Sequence, residues 1–155
     1  MTREIVARVD AWIEARTRKG APSASNLAYA LMAAWSDARM SWRCAGLAGN
    51  TEERVAALAA SLRGILLDLV RDAWGCDQWR RLTVEPAGGG WCIVLRNGRH
   101  RPPSRAQEGW TLDPAVHMRY VSEIDRGPFG RNEYATEDEA LACALEAAPR
   151  REAAP

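Results

Sequence analysis

Apolar residues recur at helical spacing through the first half of the chain. Ile5, Val6, Val9, Trp12 and Ile13 fall at i, i+1, i+4, i+7 and i+8, which predicts a helix over residues 3–18. Thr2 is placed to cap its start, and Gly20 with Pro22 to stop it. A second stripe runs through Leu27, Leu31, Ala34, Trp35, Ala38 and Trp42, widened by Tyr29 and Met32. It predicts a helix over about residues 26–45 that Gly46 and Gly49 end. The third stripe is the longest: Val55, Leu58, Ala59, Leu62, Ile65, Leu66, Leu69, Val70, Ala73 and Trp74. Asn50 followed by Glu53 reads as a capping box at its start, and Gly75 as the C′ residue at its end. Short connections favour an antiparallel bundle of these three helices.

After Gly75 the period changes to two. "WRRLTVEPAGGGWCIVLRNGRH" reads as a strand, a glycine-rich turn and a second strand. Leu82 and Val84 alternate with Arg81, Thr83 and Glu85, whereas "WCIVL" is apolar on both faces and reads as the more central, more buried strand. Asn97-Gly98 is a type I′ turn signal that could send the chain back through Arg99, His100 and Arg101, until Pro102-Pro103 ends pairing. Residues 114–124 fit two patterns. Asp113 and Pro114 can open a helix with Val116, Tyr120, Val121 and Ile124 on one face, or Val116, Met118 and Tyr120 can line a strand. "DRGPFGRNE" is a loop, and "TEDEALACALEA" is a helix opened by a Thr136/Glu139 capping box, with Ala140, Leu141, Ala144, Leu145 and Ala148 along one face.

The fold class that follows is α+β. A helical lobe over 1–75 precedes a lobe over 76–148, in which a small antiparallel sheet is covered by the C-terminal helix. The two lobes could share one core, and 149–155 form a frayed tail.

Composition narrows the function by subtraction. The chain has 155 residues, 47% hydrophobic and 26% charged, with a net charge of +1. It is large enough for a packed core and too neutral for an argument from global basicity. Lys19 is the only lysine, so basicity is carried by arginine. The N-terminal stretch carries acids, unlike a targeting peptide, and no apolar run approaches the roughly 18 residues of a membrane span. A cytoplasmic location with reduced thiols is expected. Cys44, Cys76, Cys92 and Cys143 show no paired-ligand spacing, so no metal and no cofactor are expected. His100 and His117 sit in no catalytic motif, and the serines form no GxSxG or SxxK. "AGGGW" precedes a strand rather than a helix, which removes the helix N-terminus a phosphate loop requires. The acidic clusters at Glu52/Glu53 and Glu137–Glu139 complement helix dipoles. The chain is therefore read as a binding protein and not an enzyme.

Two sets of residues are candidates for binding. Between Trp79 and Arg105 the chain carries Arg80, Arg81, Arg96, Arg99, Arg101 and Arg105 against the single Glu85. Trp79, Trp91 and nearby Trp110 add aromatic faces, so phosphate contact with base stacking is physically feasible. A solvated hairpin tip accounts for the same residues. The acids of residues 133–146 offer an internal partner for the charge. The second set follows from the seven tryptophans. Trp12, Trp35 and Trp74 fall on core stripes. Trp42 and Trp110 are the candidates for exposure, with Met40 and Arg43 beside Trp42 extending an interface patch. The leading expectation is a small protein that docks onto another protein or nucleoprotein complex as an accessory or inhibitory factor. A bacterial or phage anti-defence protein is one version of it. Direct DNA or RNA binding by residues 79–105 is the runner-up, and an enzyme with an unfamiliar site comes third. The oligomeric state is left open.

Overall fold

The structure, a computed structural model, describes residues 1–21, 24–76, 80–87, 89–97 and 134–148. Among these it contains four helices and a two-stranded antiparallel sheet, a mixed α+β arrangement that is mostly helical. The chain forms two compact units, Met1–Asp72 and Ala73–Ala148. The expected third strand at 99–101, the segment 114–124, the loop before residue 134 and the tail 149–155 lie outside the described residues.

The first unit holds α1 (Arg3–Thr17), α2 (Asn26–Leu47) and α3 (Glu52–Ala73), save the last residue of α3. Thr2 caps α1 as expected, its hydroxyl accepting from the Ile5 N–H at 3.3 Å. Ile5, Val6 and Val9 are buried, and half-buried Trp12 carries the Arg16 guanidinium 3.9 Å above its ring.

Helix α2 departs from expectation in two ways. Ser25 caps it, accepting from the Ala28 N–H at 3.0 Å, and it runs two residues further, to Leu47. Gly46 is inside the helix. Gly49, at φ +66°, is the C′ residue of a Schellman turn: its N–H bonds the Gly46 carbonyl at 3.4 Å and the Asn50 N–H bonds Ala45 at 3.1 Å. The buried face is also rotated. Ala28, Met32, Trp35 and Ala45 are buried, Leu31, Ala38 and Trp42 are half-buried, and Leu27, Tyr29 and Ala34 are exposed. Alanine-rich helices carry little contrast between faces, so packing partners decide the rotation.

Helix α3 begins at Glu52, so Asn50 lies one residue too early to cap it. That role passes to Thr51, whose hydroxyl accepts from the Arg54 N–H at 3.3 Å. Leu62, Leu66, Leu69 and Val70 give α3 its buried face, and Gly75, at φ +65°, follows its end in the left-handed conformation expected of C′. Ser25 at the start of α2 donates to Asp72 near the end of α3 at 3.5 Å. With only residues 48–51 between them, these two helices run antiparallel.

The second unit is a hairpin with a helix packed on it. Strands β1 (Arg80–Ala87) and β2 (Gly90–Asn97) pair from Arg80↔Asn97 to Ala87↔Gly90, and Gly89 turns at φ +95°. A two-residue connection needs positive φ, which explains the glycines there without an anion. On its other edge β2 bonds Tyr134 at one bridge: Trp91 N–H to Tyr134 O at 2.9 Å and the reverse bond at 2.7 Å. Both backbone groups of Trp91 thus point away from β1, so Pro86↔Trp91 is a non-hydrogen-bonded pair. The N–H that proline lacks would have faced out from β1. As expected β2 is buried on both faces, at Ile93 and Val94, but the described sheet has two strands, so neither is central.

Helix α4 (Glu137–Glu146) packs on both strands. Thr136 accepts from the Glu139 N–H at 3.1 Å, while Glu139 Oε2 reaches back to the Ala135 N–H at 3.2 Å, one residue short of a standard capping box. Residues 140–145 are all buried, so α4 is enclosed almost all round rather than along one stripe. At its end the Ala148 N–H turns to Leu145, and the Ala144 carbonyl accepts the Trp74 indole N–H at 2.8 Å.

Candidate functional site

The rotation of α2 creates the site. On its inner side Trp35, 1% exposed, donates to Asp10 Oδ1 at 2.9 Å, and Arg39 Nη1 bonds Asp10 Oδ2 at 2.9 Å. These contacts clip α1 to α2 and leave a wide sector of α2 exposed, which includes Leu27, Ala30, Ala34, Asp37, Ser41 and Cys44 as well as the residues described next. Arg43 touches the same carboxylate only at 3.9 Å, and its side chain is 52% exposed. Its guanidinium is therefore available to a further partner.

The exposed flank has a regular pattern. Tyr29, Ala33, Ser36, Met40, Arg43 and Leu47 are all exposed and follow one another at spacings of 4, 3, 4, 3 and 4 residues. Such alternation is the a/d seam of a coiled coil, and at about 100° per residue it fills a sector about 80° wide. Its large apolar members are 49% (Tyr29), 55% (Met40) and 84% (Leu47) exposed. Single exposed apolar residues are ordinary, but three large ones on one helix face, with only Ala33, Ser36 and Arg43 among them, make it a candidate docking face.

The residues singled out from sequence are distributed unevenly over this face. Met40 and Arg43 belong to it. Trp42 is half-buried and lies about 200° round the helix from Met40, so the two do not share a patch. Tyr29 was assigned to the core and Leu47 was not singled out. Their signal was the second heptad-like series beside the core stripe. Trp110, Arg99, Arg101 and Arg105 fall outside the described residues. Arg80, Arg81 and Arg96 lie on the strands, where the register sets Arg81 directly opposite Arg96 and Arg80 opposite Asn97.

Among the described residues no disulfide joins any of the four cysteines, and no three His, Cys, Asp or Glu side chains are grouped to hold a metal ion. No described helix is long and apolar enough to cross a membrane. No known protein family, curated protein or solved structure matches the chain.

Proposed function

We propose that the protein is a protein-docking module that engages another macromolecule through the exposed face of α2. The exposed a/d seam from Tyr29 to Leu47 carries this reading, because a helix face of that period fits a partner helix laid alongside it. In this reading the chain is a binding protein, not an enzyme, and acts as an accessory or inhibitory factor by occupying a surface of its target. Met40 and Leu47 are the apolar anchors and Arg43 supplies charge at the rim. The test compares capture of proteins from the native host by wild type and by a Met40→Asp/Leu47→Asp variant of unchanged thermal midpoint. Loss of the captured species in the variant supports the seam as the docking face. Equal capture by both proteins overturns it.

A second reading, polyanion binding by residues 79–105, is favoured by one observation. The register places two like charges, Arg81 and Arg96, at paired positions of the hairpin. Such pairs destabilise a ladder unless a counter-charge intervenes, and a phosphate backbone supplies one. Replacing Arg96, Arg99, Arg101 and Arg105 with Ala should then abolish salt-sensitive binding to an oligonucleotide. Absence of any such binding by wild type at low ionic strength removes this reading.

A further inference from the structure

We draw no further inference here: the strongest candidate, the exposed apolar flank of α2 from Tyr29 to Leu47, belongs to the docking face already described, and nothing in the structure shows what covers it.

Discussion

Trp35 and Asp10 are joined by a 2.9 Å hydrogen bond from the indole N–H to a carboxylate that also holds Arg39. The bond couples a deeply buried ring on α2 to a half-exposed acid on α1, and so selects which face of α2 turns inward. Asp10→Ala should cost about 2 kcal/mol in urea unfolding, because it leaves the Trp35 N–H and Arg39 without their acceptor. Trp35→Phe should cost less when added to Asp10→Ala than alone, the mark of a shared interaction. The exposed Arg71–Asp68 pair at 4.0 Å is the comparator, and Arg71→Ala should change stability by under about 0.5 kcal/mol.

Trp74 is bonded to the Ala144 carbonyl at the end of α4. Trp74→Phe keeps most of the apolar volume and removes the donor, so about 1 kcal/mol should be lost. Hydrogen exchange localises the effect. Protection should fall in the last turn of α4 and remain on β2. Equal protection throughout α4 would show that the bond contributes nothing there.

Thr136 and Ser25 cap α4 and α2 through their hydroxyls. Substituting either with Ala should destabilise by about 1 kcal/mol, and Thr136→Asp, which keeps an acceptor, should be close to neutral. Thermal midpoints of the three variants check this directly.

Leu66 and Leu47 stand at opposite extremes of exposure, at 0% and 84%. Leu66→Ala should therefore cost about 2–5 kcal/mol through the cavity it leaves. Leu47→Ala should shift stability by under about 0.5 kcal/mol while weakening whatever binds the α2 seam. A large stability loss for Leu47→Ala would place it in the core and remove it from the docking face.

Among the described residues there is no disulfide and no group of metal ligands. Thermal unfolding should be superimposable with and without chelator, and with and without reductant. A midpoint drop with either reagent would reveal a metal or disulfide that contributes to stability.

The sequence alone determined the elements and most of their ends, because those signals are local. A 3.6-residue period, a Thr before an apolar run and a Gly after it act within a turn or two of chain, and α1, α3, both strands and α4 follow them. Two of the six residues of the proposed docking face, Met40 and Arg43, were legible in the sequence. Tertiary structure decided the rotation of α2, because its alanines make several faces nearly equal, and burial of Met32 and Trp35 together with the Trp35 bond to Asp10 favours one of them. That rotation left Tyr29, Met40 and Leu47 exposed and Trp42 half-buried. It also decided that Thr51 and not Asn50 caps α3, since the helix begins at Glu52 and the Arg54 N–H bonds the Thr51 hydroxyl. The partners of Trp74 and Trp91 lie 70 and 43 positions along the chain. Such pairings depend on where the whole chain places its elements, and no local period carries that information.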